Sequence, residues 1–266
     1  MIAGLPMYDF PWTASAQDAF WEALSMRLRG AGFKAPGALS RGLPPEGIWR
    51  DPTLIFGQTC GYPYWRSMRE RVALIAAPTY FFEGCEGARH CSHLVVRRGE
   101  AARDLIGFRD ARAAINARDS NTGTNLFRAA VAPLAQGRAF FSSVIVTGAH
   151  ALSLAAVAEG TADIASIDCV SFALLGRGRP ELVERVEILG RTPSSPSLPF
   201  IASASLAPEA LATIRRCLFE TLADARLAKE YAALGLTGAK VLEPQAYARI
   251  GELEDAAIAL GYPELA

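Results

Sequence analysis

The sequence predicts an α/β protein built from mostly parallel sheets flanked by helices and divided into two lobes. Short apolar runs of strand type alternate with helical patterns along the chain, the layout that places parallel strands beneath crossover helices. A unit of strand, small polar turn and helix occurs twice in succession, at 111–135 and at 141–159. Two further strand-like segments, 93–97 and 198–203, bracket the middle of the chain, as they would if one lobe were inserted into the other and both connections served as hinges. The lobes are accordingly expected at 1–94 plus 201–266 and at 95–200.

Taken in order, a strand at 2–6 leads to Thr13, the expected cap of a helix whose apolar face carries Phe20, Leu24 and Leu28 and which closes at Gly30. The stretch 36–45 is rich in Gly and Pro and reads as a loop. Buried-type strands follow at 53–57 and 72–77. Polar and aromatic residues gather where these strands end: Met7, Tyr8 and Asp9, then Gln58 and Thr59, then Thr79 and Tyr80. In open α/β sheets the strand ends line the ligand crevice, so Tyr8, Gln58, Thr59 and Tyr80 are candidate ligand contacts. Tyr62, Tyr64 and Trp65 read either as a stacking platform or as packing. A second βα series fills 97–195, the Ser- and Pro-rich stretch 191–199 is a loop, and the strand 198–203 precedes helices at 208–222 and 244–260.

The most informative stretch is Ser120-Asn121-Thr122-Gly123-Thr124-Asn125, which joins an apolar run ending at Asn116 to a helical pattern beginning at Leu126. The first backbone N–H groups of a helix lack internal partners and sit at the positive end of its dipole, so an anion docks there readily. Ser, Thr and Asn add donors, and Ser120 or Thr122 reads equally as a plain helix cap. The second unit places Thr147, Gly148 and His150 in an equivalent position, and the short strand Ala162-Asp163-Ile164-Ala165-Ser166-Ile167 ends in Asp168 just before another helical run. Thr147, His150 and Asp168 would gather near 120–124 if these strands are neighbours. His150 also reads as a helix-terminal residue and Asp168 as a helix cap, whereas Asp163 reads as a turn residue outside the site.

Composition narrows the partners. Of 266 residues 51% are hydrophobic and 20% charged, which specifies a compact globular chain. With 27 basic against 27 acidic side chains, neither nucleic acid nor an anionic membrane surface is indicated as partner, and any anion preference must be local. No apolar run reaches the roughly 18 residues needed to span a bilayer, and the first residues show no basic segment followed by an apolar stretch, so neither membrane insertion nor an export signal is expected in the sequence as given.

Cys60, Cys85, Cys91, Cys169 and Cys217 form no CxxC pair. The trio Cys85, His90 and Cys91 lacks a fourth ligand, so no metal is expected there, nor any cofactor elsewhere. Cys85 with Cys91 and Cys85 with Cys60 are both disulfide candidates in an oxidising compartment, and spacing does not choose between them. Cys169 and Cys217 lie on apolar helical faces and read as core.

The run Ser120-Asn121-Thr122-Gly123, then Thr147-Gly148-Ala149-His150 with Ser153, then Glu159-Gly160-Thr161-Ala162-Asp163-Ile164-Ala165 ending at Asp168, resembles the phosphate, phosphite and phosphonate solute receptors of ABC transporters. The similarity spans most of the chain, is strongest at 90–205 and is thinner near the N-terminus, where it rests on Pro6-Met7-Tyr8 and Gln58-Thr59-Cys60-Gly61. It implies a type 2 periplasmic-binding-protein fold, a Venus flytrap that captures a small oxyanion in its interlobe cleft and delivers it to a permease from the periplasm. It also implies that the turn Ser120, Asn121, Thr122, Gly123 and Thr124 holds the oxyanion, that Thr147 and His150 add donors, that Asp168 recognises an amino group, and that Tyr8 or Tyr80 closes over the ligand. Asn121, Thr124 and Asn125 replace parts of the more serine-rich turn usual in such receptors, which leaves a carboxylate or sulfonate ligand open. Two other classes remain: a cytoplasmic enzyme on the same fold, using His150, Cys60 or Asp168, and a sensor that reports ligand occupancy to another protein.

Overall fold

The computed structural model describes residues 1–101 and 104–266. The chain forms two compact units: unit 1 comprises Met1–Phe81, Glu86–Ala88 and Pro196–Ala246, and unit 2 comprises Phe82–Cys85, Arg89–Ser195 and Tyr247–Ala266.

Unit 1 is organised by a five-stranded sheet in the order Ile2–Gly4, Leu54–Gln58, Phe200–Ser203, Val72–Tyr80, Leu236–Lys240. Its core forms where helix Ala14–Gly30 lays Phe20, Trp21, Leu24 and Leu28 on the sheet, with the Phe20 ring 6.3 Å from Phe56 and the Phe56 ring 5.0 Å from Phe200. Thr13 precedes that helix as expected but does not cap it with its side chain. Its hydroxyl donates to the Tyr8 carbonyl at 2.7 Å and accepts from the Phe10 N–H at 2.9 Å, which fixes the turn carrying Tyr8.

Unit 2 holds a second five-stranded sheet, ordered Val186–Arg191, Ser92–Arg97, Ile164–Asp168, Arg112–Ile115, Ser143–Val146. Leu94, Val96, Phe108, Ile115, Phe127, Val131, Phe140 and Ile164 make its core. Asp163 pairs with Arg112 at 2.7 Å where strands Ile164–Asp168 and Arg112–Ile115 begin, opposite the strand ends that lead to Asp168 and the 120–125 turn, as a turn residue should.

Both sheets are mixed, where mostly parallel ones were expected. Within unit 1 only Ile2–Gly4 pairs parallel with Leu54–Gln58, whereas Phe200–Ser203 runs antiparallel to both of its neighbours. Within unit 2 Ser92–Arg97 is antiparallel to Val186–Arg191 and to Ile164–Asp168. These two interior strands follow directly on the passage of the chain from one unit to the other, with no crossover helix to turn them parallel.

The C-terminal segment is a second departure. It was expected with the first lobe, but residues 247–266 pack in unit 2. Ala257, Tyr262 and Leu265 enter the unit 2 core, Arg128 meets Glu254 at 3.3 Å with both side chains buried, and the last carbonyl, of Ala266, accepts from the N–H groups of Phe140 and Phe141. An amphipathic helix read in isolation shows that it needs an apolar partner and not which one. Among the described residues no helix is long and apolar enough to cross a membrane.

Candidate anion site

The turn after strand Arg112–Ile115 is built as a fixed backbone cradle. Ser120 is the N-cap, and its Oγ accepts from the Gly123 N–H at 3.0 Å. The other end of that peptide, the Thr122 carbonyl, accepts from Ser92 Oγ at 2.8 Å and from Ser166 Oγ at 2.6 Å. The Thr122–Gly123 peptide plane is therefore clamped on both sides, and one wide turn, Asn121–Asn125, leads into helix Leu126–Ala135. Gly123 is required by space: a Cβ there would lie 1.8 Å from Asn116 Oδ1 and 3.1 Å from Ser120 Oγ.

Several hydroxyl and amide side chains of the turn are spent on scaffold. Asn121 Nδ2 donates to Ser195 Oγ at 2.8 Å, and Thr124 Oγ1 donates to the Ala117 carbonyl at 2.6 Å. Asn125 Nδ2 donates to the Ile250 carbonyl at 3.0 Å, while its Oδ1 accepts from Arg128 at 2.6 Å. Thr147 Oγ1 lies 2.7 Å from Ser153 Oγ and 3.1 Å from the Ile115 carbonyl, pinning the start of helix His150–Glu159 to the neighbouring strand. Thr122 differs: its Oγ1 lies 3.1 Å from His150 Nε2, so the two helix N-termini meet through a hydroxyl and an imidazole.

Asp168 stands behind this pair. It is 1% exposed, its Oδ1 accepts from the Ser171 N–H at 2.8 Å as N-cap of helix Cys169–Gly178, and its Oδ2 faces His90 Nδ1 at 3.1 Å. Burial by itself would raise its pKa. The His90 imidazole facing Oδ2, the neighbouring His150 imidazole and the Ser171 N–H outweigh that and hold the carboxyl down at about 2. His150 is pushed below the usual imidazole range by burial, with His90 acting in the same sense and Asp168 opposing. His93, edge-on to Phe172, is lowered by burial and then by Arg191. At neutral pH the site thus combines an ionised, buried Asp168 with an uncharged His150.

The candidates of unit 1 form their own set. Gln58 Nε2 donates to Tyr80 Oη at 3.2 Å and to the Leu198 carbonyl at 3.3 Å, and the Tyr8 and Tyr80 rings meet edge to face at 5.7 Å. With Leu5, Phe20 and Phe200 among the lining residues they border a cavity of about 30 Å³. Thr59 is fully buried; its N–H donates to the Pro199 carbonyl before the neighbouring strand, and its Oγ1 to the Cys60 carbonyl of its own turn. Tyr64 is buried as packing, and Trp65 carries the Arg69 guanidinium 4.5 Å from its ring centre. All five cysteines are free thiols, and among the described residues no group of His, Cys, Asp or Glu is placed to hold a metal ion.

Residues 56–247 match the family model of the ABC transporter phosphonate periplasmic substrate-binding proteins. The chain belongs to this family. Its fold matches a binding protein component of an ABC phosphonate transporter from Pseudomonas aeruginosa, at TM-score 0.76 and 14% identity over 98% of this chain and 87% of that one. It also matches PhnD1 from Prochlorococcus marinus in complex with methylphosphonate, at TM-score 0.72 and 13% identity over 96% and 97% of the two chains. A third match is XAC2383 from Xanthomonas citri bound to chloride ion, at TM-score 0.75 and 15% identity over 98% of each chain. No curated protein sequence matches the chain. Like the rest of its family it is a substrate-binding protein of ABC transport, not an enzyme.

Sequence reasoning missed four residues of this binding protein that shape the turn: His90, Ser92, Asn116 and Ser166. Ser92 and Ser166 were visible only as small polar residues in strands that are mostly apolar. Their convergence on one carbonyl follows from the register that pairs Ser92 with Asp168 and Leu94 with Ser166, a tertiary fact.

Proposed function

We propose that this binding protein captures a small oxyanion, of the phosphonate, phosphate or phosphite type, at the turn formed by Ser120, Thr122 and Gly123 and by His150, and delivers it to an ABC permease from the periplasm. The observation that carries the reading is the clamped Thr122–Gly123 peptide at a helix N-terminus with His150 Nε2 at 3.1 Å from Thr122 Oγ1. With the Thr122 carbonyl and the Gly123 N–H both tied to scaffold hydroxyls, the Thr122 and Thr124 N–H groups on either side are held pre-organised for charge-assisted bonds, so little ordering cost is left for the ligand to offset. Asn121, Thr124 and Thr147 support the turn, and Asp168 takes part through His90 and His150. Tyr8, Gln58, Thr59 and Tyr80 remain proposed contacts, with the Tyr rings offering apolar surface to an organic substituent.

A melting-temperature panel with methylphosphonate, 2-aminoethylphosphonate, phosphate, phosphite, sulfate, small sulfonates and small carboxylates tests the reading, because a ligand that binds only the native state raises the transition. The expected result is a rise with phosphorus oxyanions that is lost in Thr122→Ala, where binding weakens by about 1 to 3 kcal/mol. A rise confined to carboxylates, or none with any anion, overturns it.

A further inference from the structure

Three cysteines unused by the anion site meet in unit 2. The Cys85 Sγ lies 3.5 Å from the Cys169 Sγ, and the Cys91 thiol hydrogen-bonds Cys169 as well. Backbone bonds hold the segments in place: the Cys91 N–H donates to the Gly84 carbonyl at 3.2 Å, and the Cys169 N–H to the Cys91 carbonyl at 3.1 Å. Gly84, at φ 92°, makes the approach possible, since a Cβ there would lie 2.9 Å from Cys169 Cβ and 3.0 Å from Cys91 Sγ. Cys91 and Cys169 are buried, whereas Cys85 is half-buried and within reach of solvent.

We propose that Cys85 and Cys169 form a reversible disulfide by exchange with an external disulfide, stapling the segment around Cys85 to the first turn of helix Cys169–Gly178. The Cys85 thiolate attacks one sulfur of the external disulfide, forming a mixed disulfide and releasing one thiolate. The Cys169 thiolate then attacks the Cys85 sulfur, closing the internal bond and releasing the second thiolate. The two cysteines lose two electrons and two protons, and the external disulfide gains both as two thiols. The order follows from exposure, because only Cys85 of the three is open to a bulky oxidant. Hydrogen bonding to Cys85, which outweighs the opposing bond to Cys91, together with burial keeps the Cys169 thiol well above its ordinary pKa. Closure is therefore slow at neutral pH and quickens as pH rises. Since Cys169 follows Asp168, the staple fixes the carboxylate that faces His90, and it does so whatever ligand the protein carries.

The experiment treats the full chain with oxidised glutathione, blocks the remaining thiols in denaturant and maps linked peptides by mass spectrometry. The expected product links Cys85 to Cys169, leaves three of the five thiols free and melts roughly 5 °C higher than the reduced protein. Cys169→Ser is expected to stop at the glutathione adduct of Cys85, and Cys91→Ser to close as the wild type does. Should Cys169→Ser fail to fold, Cys85→Ala serves, with no internal disulfide expected. Five free thiols after treatment, a Cys85–Cys91 link, or an oxidised form that melts no higher than the reduced one would overturn the proposal.

Discussion

In unit 1 the polar residues Tyr8, Gln58 and Tyr80 hold one another through side chains around an apolar cavity, whereas in unit 2 the corresponding residues hold a backbone peptide. The first arrangement presents rings and an amide, which suit contact with an organic group and tolerate adjustment. The second fixes a main-chain peptide at a helix N-terminus, its carbonyl held by Ser92 and Ser166 and its N–H by Ser120. On the proposed function, a set made of side chains would vary with the substituent of the ligand, and one made of backbone would recognise what all such ligands share, the oxyanion.

The largest expected break of this contrast is Glu254→Ala. It leaves Arg128 buried without its counter-charge beside Asn125 and should cost about 3 to 5 kcal/mol in a urea transition. An effect below about 1 kcal/mol would mean that the C-terminal helix does not brace the turn. Next comes Gly123→Ala, which pushes a methyl into Asn116 Oδ1 and should cost about 1 to 3 kcal/mol of stability while abolishing anion binding; wild-type affinity would show that the turn is not rigid.

Acid should weaken unit 2. His150 and Asp168 both have native pKa values below their unfolded ones, so the unfolded chain binds more protons and stability falls as pH falls. The loss begins below about pH 6.5 for the imidazole and continues from about pH 4 towards 2 for the carboxyl. Urea midpoints of the wild type and of His150→Gln between pH 7 and 3 check this; the early part of the loss should shrink in the variant, and parallel profiles would exclude His150 as its source. The smallest effect is expected in unit 1. Tyr80→Phe removes the partner of Gln58 Nε2 but leaves the Leu198 carbonyl, for a cost of about 1 kcal/mol in the same transition. A cost above about 3 kcal/mol would mean that this hydroxyl is structural in a way its bond from Gln58 does not explain.

The sequence made the unit 2 turn legible because its chemistry is local. A strand, then Ser120 to Gly123, then a helix is a pattern whose consequence, an N-terminus rich in donors, needs no tertiary information. Asp168 was legible as a cap for the same reason, and the bond from Ser171 N–H fits that reading. His90 was not, since nothing near it in the chain indicates that its Nδ1 meets Asp168 Oδ2 across the pairing of Ser92–Arg97 with Ile164–Asp168. Strand direction failed where the chain passes between units, and the placement of residues 247–266 failed because Glu254 finds Arg128 at long range. Asn121, Thr124 and Thr147 were recognised as belonging to the turn, but their bonds to Ser195, Ala117 and Ser153 appear only in the folded chain.

The most direct test of the oxyanion cradle is a backbone amide NMR titration of the labelled protein with methylphosphonate. Charge-assisted bonds to the turn predict that the Thr122 and Thr124 amide protons, which flank the Gly123 N–H held by Ser120 Oγ, move downfield first and furthest, with the His150 ring following. Saturable binding that leaves those two amides unmoved would contradict the account.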